Sequence, residues 1–323
     1  MMLDRMEGNA ELKTSVQQML ATRRLTHSVL LVGEAGLGTG FAARCIAADY
    51  LYPAGGAAAE ALLRGECCRA VAKAGKRDSG TVETGIVREA ISVSGMGSGG
   101  KYLVGQVTAM RSEIFNTSLS AEGRAVLLYH VERMNEESAN ALLKVMEEPP
   151  EGVLFLLTAD SLASVLPTIR SRCAAYTMAP VPTEECAAAL RTAQPELNEQ
   201  NAQDLAFLYE GHIGLCLKAL TDPAAKVARA AARELCRQAQ QQDTYRVQAL
   251  LAGYEKDKDS AAAVLWQATQ AASAALRRPG FDGVQPDTAA RILRAAEAAR
   301  RAMKANGNLR LALTVCGMEM AAR

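Results

Sequence analysis

Residues 28–40, Ser-Val-Leu-Leu-Val-Gly-Glu-Ala-Gly-Leu-Gly-Thr-Gly, constrain the fold of this chain more than any other stretch. Ser28 to Val32 is an apolar run of strand length, Gly33, Gly36 and Gly38 make a glycine loop, and an apolar helix starts near Phe41. A strand that turns through glycines into a helix is the frame in which backbone N–H groups wrap phosphates. In a working loop of pattern G-x-x-x-x-G-K-[ST], the lysine reaches the terminal phosphates and the hydroxyl holds magnesium. Here Thr39 stands at the lysine position and Gly40 at the hydroxyl position. The cradle is kept in outline while its cation and metal ligand are gone. That pattern implies an ATPase architecture retained for something other than hydrolysis.

Strand and helix signals alternate from this loop to about residue 178. Strands are expected at 28–32, around 81–87, at 125–129, at 153–158 and near 174–178, with a further one at 90–94. Helices fit 10–22, 41–51, 60–74, 104–118 and 136–148. Such alternation predicts a parallel sheet covered on both faces. It stops at Pro180-Val181-Pro182. Helical segments at 183–192 and 202–220 follow, and the chain is alanine-rich and helical from Asp222-Pro223 onward. Asp222 suits an N-cap and Pro223 the first helical position. Later helices fit 243–254, 260–277, 287–305 and 308–322, broken at Pro279-Gly280 and Asn306-Gly307. Three domains are expected: an α/β base over 1–178, a small helical lid over 179–221 and an all-α domain over 222–323.

The charge balance, 36 Lys plus Arg against 35 Asp plus Glu, argues against a chain that grips nucleic acid alone, because such chains carry a basic surplus. No run approaches the roughly 18 apolar residues of a membrane span, and the first residues are polar and charged, so the expected location is the cytoplasm. The eight cysteines, at 45, 67, 68, 173, 186, 216, 236 and 316, read as small buried hydrophobes rather than a disulfide framework.

A magnesium-dependent site also needs an acid at the end of a neighbouring strand. The strand starting at Arg124 should deliver it, yet Tyr129 and His130 occupy those positions. Two separate lesions in one site argue against hydrolysis by this chain. Residues 140–150 read N-A-L-L-K-V-M-E-E-P-P, a helix with an apolar stripe of Leu142, Leu143 and Met146. Its acids Glu147 and Glu148 sit at the end of the helix that disfavours negative charge, which suggests a specific role or partner, with solvated carboxylates as the default reading. Residues 166–173 read L-P-T-I-R-S-R-C. The order of glycine loop, N-A-L-L-K-x-x-E-E-P-P and L-P-T-I-R-S-R-C resembles the AAA+ subunits of bacterial DNA polymerase III clamp loaders. The degenerate loop points to their delta-prime family. Arg24-Leu25-Thr26-His27, Glu132-Arg133-Met134-Asn135 and Asn306-Gly-Asn-Leu-Arg-Leu311 extend the likeness over nearly the whole chain.

The resemblance implies an AAA+ α/β base, a helical lid and an all-α collar that mediates oligomerisation. It implies that Arg172, more than Arg170, projects across a subunit interface toward ATP held by a neighbouring motor. Arginine suits this role because its planar, permanently charged fork matches phosphate oxygens. On spacing alone, Arg172 would read as an ordinary surface arginine. The family's motors carry a lid arginine at a stretch like G-x-x-R-x-A-L, where this chain reads Gly211 to Leu217 with Gly214 or Leu215 at that place. Thr158 is the candidate for the polar residue that senses nucleotide. Many relatives carry a four-cysteine zinc module, but Cys67-Cys68 keeps at most two adjacent ligands, so neither zinc nor another cofactor is expected.

The function implied is a non-hydrolysing loader subunit working with gamma/tau motor subunits, a delta subunit, the sliding clamp and, through the complex, primed DNA. ATP would be bound by the partners. Two rivals stand beside it: an active ATPase in which Thr39 holds the metal, and an AAA+-like interaction module of another assembly. A second glycine stretch, Gly95 to Lys101, fits G-x-x-x-x-G-K but has Tyr102 in place of the hydroxyl, and reads as a connector. His27, His130 and His212 lie far apart with structural roles expected, and Leu265 and Trp266 read as core.

Overall fold

The computed structural model describes residues 1–22, 26–66, 69–74, 78–83, 89–116 and 123–322. The chain divides into two compact units, Met1–Cys186 and Ala187–Arg323. In chain order the first holds α1 (Ala10–Ala21), β1 (Ser28–Val32), α2 (Thr39–Leu51), α3 (Ala57–Arg64), β2 (Arg69–Ala74), β3 (Asp78–Glu83) and β4 (Ala90–Ser94). It continues through α4 (Val104–Asn116), β5 (Arg124–Tyr129), α5 (Glu136–Glu147), β6 (Val153–Ala159), α6 (Pro167–Arg170) and β7 (Ala174–Thr177). The helix α7 (Thr183–Ala193) runs across the division.

The seven strands form one sheet in the order β3-β2-β4-β5-β6-β1-β7. From β4 to β7 every pairing is parallel, while β2 and β3 pair antiparallel at one edge. The interior parallel strands β1, β5 and β6 are buried on both faces, which is why they read as unbroken apolar runs, whereas β7 at the edge is partly exposed. Successive residues point to opposite faces and feed two separate cores. Val29, Leu31, Ala125, Leu127, Leu154 and Leu156 join the α2 side, whereas Leu30, Val32, Val126, Leu128, Phe155 and Leu157 join the α4 and α5 side. The sheet thus has helices on both faces.

The helix expected over 60–74 is not one helix. It ends at Arg64 because Gly65 turns left-handed (φ 75°) and Gly65 and Glu66 N–H donate back to Leu62 and Ala61 carbonyls. Arg69–Ala74 then pairs with β3 as a strand. Ladder pairing overrides the helical preference of an Ala- and Lys-bearing segment. The strand expected around 81–87 is shifted to Asp78–Glu83, with 84–88 outside the described residues.

The second unit contains α8 (Glu199–Leu208), α9 (Ile213–Thr221), α10 (Pro223–Gln240), α11 (Thr244–Ala252), α12 (Lys258–Arg277), α13 (Pro286–Lys304) and α14 (Leu309–Met320). The single helix expected over 202–220 is two, broken where Glu210 (φ 50°) and Gly211 (φ 75°) both turn left-handed. Asp222 caps α10 as its sequence suggests, accepting from the Ala224 N–H at 2.9 Å. The buried alanines of α12, such as Ala268, Ala272 and Ala275, let it pack against both α10 and α13. Trp266 stacks on Tyr209 at 6.1 Å, and the Tyr209 hydroxyl donates to Gln267 Oε1 at 2.7 Å. Leu265 is fully buried beside them. Among the described residues no helix is long and apolar enough to cross a membrane.

Candidate functional site

The glycine loop leaves the carboxyl end of β1, which lies between β6 and β7 where the strand order reverses. Crevices at such switch points, outside the carboxyl ends of the strands, are where open α/β sheets hold ligands. Gly33 N–H donates to Ala159 O at 3.0 Å, fixing the loop root to β6, and Leu37 N–H closes a turn onto Glu34 O at 3.1 Å. Gly36 (φ 96°) and Gly38 (φ 86°) are left-handed, a geometry that favours glycine, and α2 starts directly after them. A Cβ on Gly33 would lie 3.1 Å from Leu37 Cδ1 and 3.2 Å from Thr39 Cγ2. Thr39 therefore turns its methyl back onto the strand end.

Tyr129 closes the other side. A Cβ on Gly40 would lie 3.3 Å from Tyr129 Cε1, so the ring sits against the first turn of α2. Arg44, one turn further along, donates its Nε to Leu63 O at 2.8 Å. The carbonyl of Tyr129 accepts from the buried Tyr102 hydroxyl at 2.6 Å, and the same hydroxyl reaches Val93 O at 2.9 Å. Burial pushes the Tyr102 phenol well above its ordinary range, so it stays a neutral group.

His130 follows Tyr129 with a left-handed backbone (φ 58°, ψ 54°). Its N–H donates to the buried Thr158 hydroxyl at 3.1 Å, so this oxygen is already engaged within the chain. The His130 Nδ1 lies 3.2 Å from Glu132 Oε1 and 3.4 Å from Asp160 Oδ1. Sequence reasoning took His130 as a lost acid and a structural histidine. The signal it missed is a His-x-Glu after β5 together with an Asp just after β6, brought together by the parallel pairing of Leu128 with Leu157.

Arg172 is placed elsewhere. The short helix α6, with Pro167 at its first turn, carries the chain toward the amino end of β7. Since Ala174 pairs beside Val29 and Thr177 beside Val32, Arg172 lies at the amino edge of the sheet and the glycine loop at its carboxyl edge. Four strand residues separate the two edges, about 13 Å. The guanidinium donates to Thr168 O at 3.1 Å and to Glu147 Oε1 at the end of α5, and the arginine side chain is 38% exposed. The acid at the electrostatically poorer end of α5 thus has its partner. The N-A-L-L-K-V-M-E-E-P-P and L-P-T-I-R-S-R-C stretches meet in this ion pair.

The second glycine stretch is internally spent. Gly97 N–H donates to Lys101 O at 2.8 Å and Gly100 N–H to Gly97 O at 2.9 Å. The fully buried Gln106 accepts from Leu103 N–H at 3.0 Å and Met96 N–H at 3.3 Å, and donates to Ser94 O at 2.7 Å. These N–H groups are turned inward, away from any phosphate. Gly214 and Leu215 lie in the first turn of α9, where His212 Nδ1 meets Tyr209 O at 2.8 Å. His27 is exposed and contributes its carbonyl to Phe155 N–H at 2.8 Å. Arg24, Leu25, Cys67 and Cys68 lie outside the described residues.

A sequence profile for the family described as "DNA polymerase III, delta subunit" matches residues 8–182, just over half of the chain. A delta' subunit of DNA polymerase III from Haemophilus influenzae is 42% identical over 84 residues, which are 26% of this chain and 25% of that protein. The delta' subunit of Pseudomonas aeruginosa is 33% identical over 149 residues, 46% of this chain and 41% of that one. The matches therefore span from a quarter to less than half the length of these relatives. Among solved structures, a gamma-subunit-related protein of DNA polymerase III from Thermotoga maritima superposes with a TM-score of 0.50. It is 17% identical and the match covers 94% of this chain and 98% of that one, a likeness of fold.

Proposed function

The chain belongs to the DNA polymerase III delta-subunit family, with a parallel-sheet AAA+ base followed by helices, and from that membership we propose that it is a delta-prime-like loader subunit that hydrolyses no ATP itself. It presents Arg172 to ATP held by an adjacent motor subunit and helps place the sliding clamp on primed DNA. Its partners in this reading are gamma/tau motor subunits and a delta subunit, in the cytoplasm. The base occupies 1–178, a lid 179–221 and an oligomerising collar 222–323. It carries no four-cysteine zinc module, and the nucleotide sits in partner subunits.

One observation carries the reading: Arg172 and the glycine loop stand on opposite edges of the same parallel strands. An arginine at the amino edge cannot serve a phosphate in its own chain's loop, so a phosphate partner for it belongs to another molecule. The ring of Tyr129 against Gly40 favours the same conclusion, because it stands where a working loop would put its hydroxyl and metal. Thr39 turning its methyl toward Gly33 weighs against a threonine-held metal. An arginine supplied in trans stabilises the charge of the transferring phosphoryl group, worth on the order of 10³–10⁵ in rate. The near-neutral charge suits a subunit that shares its DNA contacts with others.

Mixing the purified chain with motor and delta subunits tests this. A complex should form on size exclusion, and the isolated chain should turn over no ATP with magnesium. Magnesium-dependent turnover by the isolated chain would favour the unorthodox ATPase instead.

A further inference from the structure

The tips of β5 and β6 bring together three side chains that neither the glycine loop nor Arg172 uses. We propose that His130, Glu132 and Asp160 form a binding site for a divalent transition-metal cation. The inference is independent of the loader reading. It also departs from the expectation of a metal-free chain, which was drawn from the cysteines.

The spacing is the first support. A cation with bonds of about 2.0–2.2 Å to nitrogen and oxygen needs its tetrahedral donors about 3.4 Å apart. His130 Nδ1 stands 3.2 Å from Glu132 Oε1 and 3.4 Å from Asp160 Oδ1. One donor atom from each residue lies within 4.8 Å of the others. The remaining edge, between the two carboxylates, closes by rotation of Asp160, whose side chain is 48% exposed.

Charge is the second. Two carboxylates converge on one imidazole nitrogen, and among the described residues Asp160 has no ion-pair partner but His130. Arg133 Nε approaches Glu132 only to 3.7 Å. A doubly charged cation balances two carboxylates and a neutral imidazole.

An orphaned oxygen is the third and separate support. Glu132 Oε2 is buried with no hydrogen-bond partner among the described residues, on a side chain only 12% exposed. A buried carboxylate oxygen left unpaired carries its full desolvation penalty. A cation held at the Glu132 carboxylate offsets that cost. The imidazole donor selects zinc, cobalt or nickel over magnesium and calcium, which favour all-oxygen sets. His130 and Asp160 are roughly half exposed, leaving a further coordination position for water or a ligand atom.

Cobalt(II) is the probe, added to the reduced full-length chain and followed by visible absorption and calorimetry. One cobalt ion should bind with weak d–d bands and without the intense thiolate-to-cobalt charge transfer that cysteine ligation would produce. His130→Ala and Asp160→Asn should each weaken binding by at least about tenfold. Circular dichroism checks that both variants fold, and the near-isosteric Asp160→Asn guards against a purely structural loss. No saturable binding, binding accompanied by thiolate charge transfer, or affinity unchanged in both variants would overturn the site.

Discussion

Gly95 lacks a side chain because there is no room for one. A Cβ there would fall 1.8 Å from Gly100 O and 2.5 Å from its carbonyl carbon, so the backbone itself would have to move. Gly95→Ala should cost about 2–4 kcal/mol in urea unfolding; an unchanged midpoint would refute this packing account. The sequence showed this stretch as a false nucleotide motif, and the structure explains its glycines as close approach of the chain to itself. The cysteines make a second residue-scale claim. Burial pushes the thiols of Cys45, Cys173, Cys236 and Cys316 up from 9.0 to about 12. In the unfolded chain they ionise near 9, so between about 9 and 12 the folded state holds more protons. Their contribution to stability is complete below about pH 9 and is lost as pH rises toward 12. The urea midpoint should accordingly fall between about pH 8 and pH 10.5, and equal midpoints would contradict it. The role proposed for Arg172 rests on likeness to a family. Nothing in its spacing tells a surface arginine from one that meets a partner, and its tie to Glu147 joins residues 25 apart.

At the scale of elements, the Tyr102 hydroxyl clasps the carboxyl ends of β4 and β5 through Val93 O and Tyr129 O. Tyr102→Phe keeps the ring and removes the one O–H donor shared between these two carbonyls, and should cost about 1–3 kcal/mol. Loss of much less than that would mean the clasp is idle. The strands β1, β4, β5 and β6 were readable because burial on both faces leaves short apolar runs that little else imitates. What escaped was set by neighbours rather than local pattern. β2 is a strand because β3 pairs with it, and a sequence of Ala, Val and Lys does not announce a ladder partner. The α8–α9 break turns on a left-handed Glu210, a residue type with no special preference for that geometry. The cluster of His130, Glu132 and Asp160 went unread for the same reason: only the adjacency of β5 and β6 joins residues 30 positions apart.

For the whole molecule, the second unit leaves one helix face uncovered. Leu311, Val315 and Met318 on α14 are 64%, 44% and 57% exposed, and steps of four and three place them on one side of the helix. In the proposed loader this stripe belongs to the collar and is covered by a neighbouring subunit. Leu311→Asp with Met318→Lys should abolish assembly with the motor subunits on size exclusion. The isolated chain should keep its stability within roughly 0.5 kcal/mol, as expected for exposed positions. Assembly untouched by two charges on that face would move the interface elsewhere. The central claim, an arginine acting on another subunit's nucleotide, is tested most directly by clamp- and DNA-stimulated ATP turnover of the reconstituted loader with the wild-type chain and with Arg172→Ala. The account predicts an intact assembly in which turnover at the site facing this chain falls by on the order of 10³. Unchanged turnover in an intact assembly would contradict it.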